Sequence, residues 1–570
     1  MLKKNDLIEL EITAAGANGE GIGKIGGFPV FIKDSVPGDR CMIRITRVRR
    51  NLAYGHIDRI LEPSVHRIRP ECPVSARCGG CTLQAMDYAS ELDFKEKRVR
   101  DCLHRIGGIV EDVLDQASEP ILGAEDPFRY RNKAQYPIGR DRNGEIVAGF
   151  YAERSHEIIP CGDCLIAPVE FPGILKAFTD YMKEAGLPPY DEASGSGLVR
   201  HLMLRKAFSS GEIMAVPVLT SEKIPHRKEM TEALMRAGVA TAAANINPDT
   251  TNVILGKMNI VLFGTGFLED RLCGLTFRLS PQSFYQVNPV QAERIYDIVL
   301  EYAGLKPEDE AWDICCGIGT ISLCLAKHCR RVLGIEISEE AVRDARANAK
   351  RNGLSNTVFM AGAAEDLLPR LVAGDVSAEG FDRGLPSRED PAAGSLSQGR
   401  PSVIVLDPPR SGMEEDALNA VISIKPERVV YVSCDPATLA RDLKLLLAAG
   451  YALRRYRPID QFCRTSHVET ICLLSKLSSA KHHIEINVDM DELDLTSAEA
   501  KATYEEIRNW VQEKYGLHVT NLNIAQVKQK HGIIERENYN KPKSPDSKQP
   551  GCPEEKVKAI EDAMRHFQMI

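Results

Sequence analysis

The sequence contains no run of about 18 consecutive apolar residues and no basic-then-apolar leader at Met1 to Asn5. We therefore expect neither a membrane-spanning helix nor a secretory leader, and we predict a cytoplasmic protein. Positive charge is not in excess, because 72 lysine and arginine residues face 80 aspartate and glutamate residues, for a net charge of −8. This balance argues against bulk affinity for nucleic acid, although it permits a local basic surface.

The chain has 16 cysteines, which in a reducing compartment are not expected to form a disulfide framework. Some are therefore candidates for metal binding or chemistry, and others for the hydrophobic core. At 570 residues the chain is too long for one core, and its length predicts about three or four domains.

Residues 1–61 have the pattern of a small β-barrel. Leu7 to Thr13 alternates apolar and polar residues, Gly26-Gly27 marks a hairpin turn, and further β-rich runs continue to Ile60. Short strands with turn signals at this spacing predict a five-stranded OB-like barrel. One strand and its turn are basic, with Arg40, Arg44, Arg47, Arg49 and Arg50. On such a barrel, basic residues favour contact with a nucleic-acid backbone, although a solvated face is the alternative.

Three closely spaced cysteines mark the next predicted domain, residues 62–270, in the pattern C-x5-C-x2-C: Cys72, Cys78 and Cys81. A closed site needs a fourth ligand, and Cys161 and Cys164 are the downstream candidates. Zinc sites usually pair two C-x2–4-C elements, whereas three clustered thiols suit an iron–sulfur cluster at least as well. The pattern predicts a structural metal or cluster site. A radical enzyme would need C-x3-C-x2-C, which is absent here.

The same domain has a second candidate surface for RNA. Phe128 to Lys133 interleaves aromatic and cationic residues, as surfaces that hold phosphates and unstacked bases do, and a half-buried strand edge is the alternative. Strand-like runs at Val147–Tyr151, Leu202–Lys206 and Ile213–Val218 predict a mixed α+β domain.

Residues 271–476 predict a Rossmann-like α/β domain with a cofactor site. Gly317-Ile318-Gly319 lies between a strand and a helix, where glycines let a cofactor approach the backbone closely. A dinucleotide site would want a third glycine, and this chain has Ser322 there. Glu336 ends the next strand, where a carboxylate accepts hydrogen bonds from ribose hydroxyls. With Asp313 beside the first turn, these features fit S-adenosylmethionine better than NAD.

Candidate reactive residues follow the later strands of this domain. Asp407 ends the apolar run Val403–Leu406, and Cys434 comes after the apolar run Arg428–Tyr431, just before Pro436 turns the chain. Open α/β sheets place their chemistry at this edge, although a buried structural thiol is the alternative for Cys434. Glu469 opens the last apolar strand, and it is either a buried, ion-paired residue or part of the chemistry.

Five motifs occur in the order that is typical of RNA (uracil-5-)-methyltransferases: Phe284–Asn288, Asp313–Thr320, Asp407–Arg410, Ser433–Pro436 and His467–Glu469. The E-G-I-G-K and V-P-G-D-R stretches of the barrel resemble a TRAM domain. With the barrel and the cysteine cluster, the chain resembles the 23S ribosomal branch of that family over roughly residues 1–476. The resemblance implies a cytoplasmic, monomeric enzyme that acts on RNA, most closely 23S rRNA, and has no membrane partner.

The resemblance also implies the roles of single residues. Cys434 is implied as the nucleophile that adds to C6 of uracil, and Glu469 as the base that removes the C5 proton. The resemblance places S-adenosylmethionine among four side chains: Gln286, Cys315, Glu336 and Asp407. A four-iron, four-sulfur (4Fe-4S) cluster is implied on Cys72, Cys78, Cys81 and Cys164, with Cys161 competing for the fourth position. Cys315 departs from the family, which usually has an aromatic residue there.

Two alternatives remain at this stage. One is the same reaction on tRNA, although the tRNA branch typically lacks the barrel and the cysteine cluster. The other is a non-catalytic iron–sulfur RNA-binding protein, in which Cys434 and Glu469 would be idle.

Two segments lie outside these motifs. Ala373–Pro401 is rich in Gly, Ser, Pro, Asp and Arg and predicts a disordered insertion whose deletion leaves methyl transfer largely intact. Residues 477–570 predict a small α-rich appendage of unknown role. Its predicted elements are a strand at His482–Val488, a helix from Thr496, a helix at Asn521–Lys530, a polar linker at Asn538–Glu554 and a helix at Pro553–Phe567.

Overall fold

The computed structural model describes residues 2–153, 155–373, 400–477, 504–531 and 553–566. These residues fall into two compact units, Met1–Ser478 and Ser479–Ile570. Several predicted features lie outside the described residues: the predicted insertion except for Ala373, Arg400 and Pro401, the strand at 482–488, the helix start at Thr496 and most of the linker. Within the described part of the chain, no helix is long and apolar enough to cross a bilayer.

The N-terminal barrel consists of six strands in the order β1-β5-β6-β4-β3-β2, one more than the sequence predicted. The strands are β1 Leu7–Glu11, β2 Ala14–Ala15, β3 Gly21–Ile25, β4 Phe28–Lys33, β5 Arg40–Val48 and β6 Ala53–Glu62. The additional strand is β2, a two-residue pairing with β3 that is too short to leave a pattern in the sequence. Gly26 and Gly27, with φ of 54° and 85°, form the predicted hairpin turn between β3 and β4, since positive φ suits glycine.

The central sheet has seven strands in the order β13-β12-β11-β10-β7-β8-β9. They are β7 Lys133–Arg140, β8 Ile146–Tyr151, β9 Ile158–Pro160, β10 Val199–Lys206, β11 Ile213–Leu219, β12 Thr241–Ile246 and β13 Met258–Phe263. Helices α3 Phe171–Glu184 and α4 Arg227–Arg236 bury their apolar sides in the core that this sheet forms. Two earlier helices, α1 Tyr88–Arg105 and α2 Glu111–Ala117, instead pack against the α/β sheet described next.

The α/β sheet also has seven strands, in the order β18-β17-β16-β19-β20-β22-β21. A hairpin and a helix precede it: β14 Leu268–Leu272, β15 Leu275–Leu279 and α5 Pro289–Ala303. Five parallel strands follow with their helices: β16 Glu310–Ile314, α6 Thr320–Ala326, β17 Arg331–Glu336, α7 Glu339–Arg351, β18 Thr357–Ala361, α8 Ala364–Ala373, β19 Val403–Leu406, α9 Glu415–Ile424 and β20 Arg428–Ser433. Then come α10 Pro436–Ala448 and two antiparallel strands, β21 Tyr451–Ile459 and β22 Glu469–Lys476.

The strand order reverses between β16 and β19, which are parallel neighbours although they are distant in sequence. Open parallel sheets bind ligands beyond the carboxyl ends of their strands at such a switch point. The carboxyl ends of β16, β17, β19 and β20 therefore define the edge at which a site is expected. Apolar cores on the two faces of the sheet keep these ends in place.

The second unit, described by itself, contains α11 Tyr504–Tyr515, α12 Asn521–Lys530 and α13 Glu554–His566. The three helices share one apolar core that includes Ile507, Val511, Ile524 and Ile560. The second predicted helix coincides with α12, and the last predicted helix contains α13.

Candidate active site

A cavity of about 850 Å³ opens at the carboxyl edge of the α/β sheet. Its walls include all six residues for which the sequence predicted a catalytic or cofactor-binding role: Gln286, Cys315, Glu336, Asp407, Cys434 and Glu469. They come from segments that are up to 183 residues apart, so the fold brings them together. The cavity also borders the Gly-x-Gly turn, which places backbone groups within reach of a ligand.

The Gly-x-Gly turn holds the Glu336 carboxylate in a fixed orientation. The Gly317 N–H donates to Glu336 Oε2 at 3.0 Å, and the Ser338 N–H donates to Glu336 Oε1 at 3.0 Å. The turn requires positive φ at Gly317, at Gly319 and also at Cys315, whose φ is 69°. A carboxylate fixed by backbone donors at the end of β17 is suited to accept hydrogen bonds from ribose hydroxyls.

Asp313 lies beneath this turn and is fully buried. Ser322, which stands where a dinucleotide site would have glycine, donates from Oγ to Asp313 Oδ2 at 2.5 Å. Burial raises the pKa of Asp313 to about 7 despite this hydrogen bond. The Asp313 Oδ1 atom has no hydrogen-bond partner among the described residues. In the sequence, Ser322 was notable only because it occupies the position of the third glycine of a dinucleotide site. The structure shows that the Ser322 hydroxyl orients Asp313.

Cys434 lies between the end of β20 and the start of α10. Asp435 caps α10 by accepting hydrogen bonds from the N–H groups of Ala437 and Thr438 at 2.9 and 3.1 Å, which fixes the residue just before it. Burial first, and then the charge of the nearby Glu469 carboxyl, raise the pKa of the Cys434 thiol to about 12. The Arg410 guanidinium opposes both effects by its charge and by a hydrogen bond to the thiol.

Glu469 opens β22 beside β20 and is 3% exposed. Burial first, and then the charge of Asp407, raise its pKa well above the ordinary value, while Arg410 lowers it. Arg410 therefore faces both the thiol and the carboxyl. In the sequence, Arg410 stood out only as part of the motif Asp407–Arg410, and no role was predicted for it. Its position in the chain does not show that it reaches Cys434.

Gln286 is oriented by a network that the sequence did not reveal. Gln461 Nε2 donates to Gln286 Oε1 at 3.0 Å, and Gln461 follows Asp460 in the connection between β21 and β22. Lys95 on α1 is fully buried and donates to Asp460 Oδ1 at 2.6 Å and to Glu91 Oε1 at 2.7 Å. Loss of one partner would leave a buried charge uncompensated, so the network holds Asp460 firmly in place. Asp460 precedes Gln461, which in turn orients Gln286 in the cavity wall.

The predicted cluster cysteines converge away from this cavity. The charge of Cys164 affects the pKa of all three upstream thiols, Cys72, Cys78 and Cys81, so the four thiols share one neighbourhood. Cys161 donates a hydrogen bond to Cys164, and this bond is the largest cause of lowering the pKa of Cys164 to about 7. A thiolate at position 164 is thereby favoured, and the thiolate is the metal-binding form of cysteine.

No group of three or more His, Cys, Asp or Glu side chains in the described ranges is arranged to hold one metal ion. Four cysteine thiols in one neighbourhood are the donor type that all-cysteine iron–sulfur clusters use. The segment that carries Cys81 also contacts the connection before Glu469, because the Thr82 and Leu83 N–H groups donate to the Arg464 carbonyl at 3.0 and 3.1 Å.

Models of known protein families match two parts of the chain. Residues 3–57 match the TRAM domain, and residues 258–477 match the tRNA (Uracil-5-)-methyltransferase family. Over 482 residues, the chain is 40% identical to an uncharacterized RNA methyltransferase of Clostridium tetani, with 84% of this chain and 98% of the relative covered. The chain belongs to the RNA (uracil-5-)-methyltransferase family. The expected TRAM barrel, enzyme class and RNA substrate are thus confirmed, and the non-catalytic alternative is set aside.

Two further proteins are similar to this methyltransferase. An uncharacterized RNA methyltransferase of Listeria innocua is 39% identical over 476 residues, with 83% of this chain and 99% of the relative covered. The solved structure of Pyrococcus abyssi tRNA (uracil-54, C5)-methyltransferase, in complex with S-adenosyl-L-homocysteine, aligns with a TM-score of 0.63 and 24% identity. That alignment covers 82% of this chain and 99% of the other, and it supports the fold described above.

Proposed function

We propose that this enzyme transfers a methyl group from S-adenosylmethionine to C5 of a uridine in 23S rRNA, through a covalent bond between Cys434 and C6. The observation that carries the proposal is that a thiol, a buried carboxyl and the Gly-x-Gly turn line one cavity. A nucleophile, a base and a held methyl donor are what C5 methylation of uracil requires.

Four residues are proposed to hold the methyl donor: Gln286, Cys315, Glu336 and Asp407. Glu336 would accept hydrogen bonds from the ribose hydroxyls, because backbone donors already fix its carboxylate. When bound, S-adenosylmethionine supplies an electrophilic methyl group on a sulfonium sulfur. Cys315 presents a small side chain where the family usually stacks an aromatic ring, so the adjacent backbone of the turn provides most of the contact there.

The thiolate of Cys434 begins the reaction on a uridine that has left its stack. Its electron pair forms a bond to C6, and the electrons of the C5–C6 double bond move toward O4 to give an enolate. C5 of the enolate then attacks the donor methyl group, and the bond between that carbon and the sulfonium sulfur breaks. The product at this stage is a C5-methylated uridine that is still joined to Cys434.

Glu469 completes the cycle by removing the proton from C5. The electron pair of the C5–H bond restores the C5–C6 double bond, and the bond from C6 to Cys434 breaks to return the thiolate. A raised pKa makes the Glu469 carboxylate a stronger base than an exposed glutamate, which suits removal of a carbon-bound proton. The proton then passes from Glu469 to solvent.

The choice of 23S rRNA rests on the barrel and the cysteine cluster, two features that the tRNA branch typically lacks. The same reaction on a tRNA uridine is the second candidate, favoured by the likeness to the Pyrococcus abyssi tRNA enzyme. We also propose that Cys72, Cys78, Cys81 and Cys164 hold a structural 4Fe-4S cluster, and that the enzyme acts as a monomer in the cytoplasm.

Trapping on RNA that contains 5-fluorouridine tests the mechanism. Fluorine at C5 cannot leave as a proton, so the wild-type enzyme should remain covalently bound through denaturing electrophoresis. Cys434→Ala should form no such adduct, while Cys102→Ala, which removes a half-buried thiol on α1, should form it at the wild-type rate. A wild type that binds and methylates ordinary RNA but never forms the adduct would contradict the covalent mechanism.

A further inference from the structure

The wall that the central sheet contributes to the active-site cavity is basic. Arg131, Lys133 and Gln135 all line the cavity, at the start of β7. Lys133 and Gln135 are half-buried and alternate with the buried Ala134, so both side chains point to the same face of the strand. This wall differs from the rest of the cavity, whose lining includes eight acidic residues: Asp313, Glu336, Glu340, Asp344, Glu365, Asp407, Glu414 and Glu469.

The positive charges at this wall lack acidic partners. Burial first, and then the charges of the nearby Arg205 and Arg131, lower the pKa of Lys133 to about 7. In the described part of the chain, none of the three cations forms an ion pair. Arg205 donates to the carbonyl oxygens of Ser280 and Ser283 at 2.9 and 2.7 Å, and Arg131 Nε donates to the Lys133 carbonyl at 3.3 Å.

No anion among the described residues stabilises the charged form of Lys133, so its amine loses the proton near pH 7 and would regain it beside a bound anion. Burying a cation without an anion is unfavourable, and a bound anion removes the penalty. A buried lysine with a purely structural role would be expected to have a carboxylate partner. The absence of such a partner among the described residues suits a lysine that binds an anionic ligand. The ligand chemistry is that of an oxyanion, either an RNA phosphodiester or the carboxylate of the methyl donor.

Two observations favour the phosphodiester. The cation lies on the central sheet, while three of the four proposed donor contacts, Cys315, Glu336 and Asp407, come from the edge of the α/β sheet. Phe284, which lines the same cavity, is 64% exposed and offers an aromatic ring to an unstacked base. We propose that Lys133, assisted by Arg131, binds a backbone phosphate of the nucleotide that enters the cavity. This inference rests on the proposed function, because it takes the polymer in the cavity to be the RNA substrate.

The test compares Lys133→Met with Lys228→Met in the full-length enzyme. Lys228 is exposed on α4 and is not part of the cavity lining, so its replacement removes the same charge elsewhere. An unmodified 23S rRNA transcript and S-adenosylhomocysteine are titrated separately, the RNA at several salt concentrations. Lys133→Met should weaken RNA binding about tenfold and reduce the slope of log K against log salt by about 0.7, the loss of one phosphate contact.

The control variant should leave the slope unchanged, and Lys133→Arg should restore RNA affinity. Affinity for S-adenosylhomocysteine should not change in Lys133→Met, and its thermal midpoint without RNA should stay the same or rise, because an unpaired cation is gone. A loss of S-adenosylhomocysteine affinity with an unchanged salt slope would overturn the proposal in favour of the donor carboxylate. A lower thermal midpoint with equal losses of both affinities would show a structural lysine instead.

The same samples separate this proposal from the proposed function. At saturating RNA, Lys133→Met should still form the 5-fluorouridine adduct, because its thiol and carboxyl are intact. If the wild type binds RNA with the expected salt slope but forms no adduct, the covalent mechanism fails while the phosphate contact stands. If neither the salt slope nor RNA affinity responds to Lys133→Met, the phosphate contact fails while the adduct can still support the mechanism.

Discussion

Cys434 and Glu469 lie at the same edge of one antiparallel strand pair, because Ser433 at the end of β20 pairs with Thr470 near the start of β22. The two residues are 35 positions apart in sequence, yet a hydrogen-bonded ladder fixes their separation. The proposed nucleophile and base are therefore held by the sheet itself. Their proximity has a cost, since the Glu469 carboxyl raises the pKa of the Cys434 thiol.

Replacing Glu469 by glutamine should trap the reaction after methyl transfer. The variant should form the bond to C6 and accept one methyl group on ordinary RNA, and then stall, because the amide cannot remove the C5 proton. We expect turnover to fall by about 10²- to 10⁴-fold, as for the loss of a general base. Electrophoresis with tritiated methyl donor should show label on a protein–RNA adduct. The control is Glu414→Gln, which changes an exposed carboxyl of the same cavity. Release of free methylated RNA by Glu469→Gln at the wild-type rate would refute the role of Glu469 as the base.

Replacing Arg410 by methionine should make activity more dependent on alkaline pH. The guanidinium lowers the pKa of Cys434 by charge and by a hydrogen bond, so its removal raises that pKa and leaves less thiolate at pH 7. A rise of one pKa unit would lower kcat/KM at neutral pH about tenfold and move the acidic limb of the profile to higher pH. Arg454→Met, at an exposed position of β21, should leave the profile unchanged. An unshifted limb with a raised KM for RNA would assign Arg410 to RNA binding only.

Replacing Asp313 by asparagine should change the dependence of stability on pH. Burial raises the pKa of Asp313 from 3.8 to about 7, so between these values the folded protein keeps a proton that the unfolded chain has lost. The contribution of Asp313 to stability is therefore complete below pH 3.8 and is lost as pH rises to about 7. Thermal midpoints of both proteins at several pH values measure the difference, which should favour the variant more at pH 8 than at pH 4. A difference that does not vary with pH would contradict the raised pKa.

The cysteine cluster makes a separate prediction about position 164. Enzyme purified without oxygen should be brown and contain about four irons per chain. Cys164→Ser should lose iron, whereas Cys161→Ser should keep it, because Cys161 donates a hydrogen bond to the Cys164 thiolate and is not proposed as a ligand. Iron and sulfide analysis with visible absorption decides the matter. A colourless protein with zinc, or iron loss only in Cys161→Ser, would overturn the assignment.

The sequence predicted the parts of the site that follow from strand patterns. Apolar runs followed by Asp407, Cys434 or a Gly-x-Gly turn locate strand ends, and parallel strand ends meet at one edge. The hairpin at Gly26-Gly27 and the helix Asn521–Lys530 were likewise predicted from local signals that the structure shows. These features depend on residues that are close in the chain.

The contacts that the sequence could not predict join distant positions. Lys95 meets Asp460 across 365 residues, and no periodicity in either segment indicates a buried partner. Arg410 reaches Cys434 because it follows the Pro408-Pro409 exit from β19, and Cys434 follows β20, the parallel neighbour of β19 in the sheet. The sequence showed Arg131 and Lys133 only as part of the cationic and aromatic run Phe128–Lys133, and it did not indicate that they border the cavity at the edge of the α/β sheet.

A map of 5-methyluridine in total RNA, from cells with and without the gene, tests the central claim most directly. We predict that one or two positions in 23S rRNA lose the modification, and that it returns with the wild-type gene but not with the Cys434→Ala variant. Loss confined to tRNA would contradict the proposed substrate while keeping the reaction. An unchanged map in every RNA class, in cells that have no second enzyme of this family, would contradict the account.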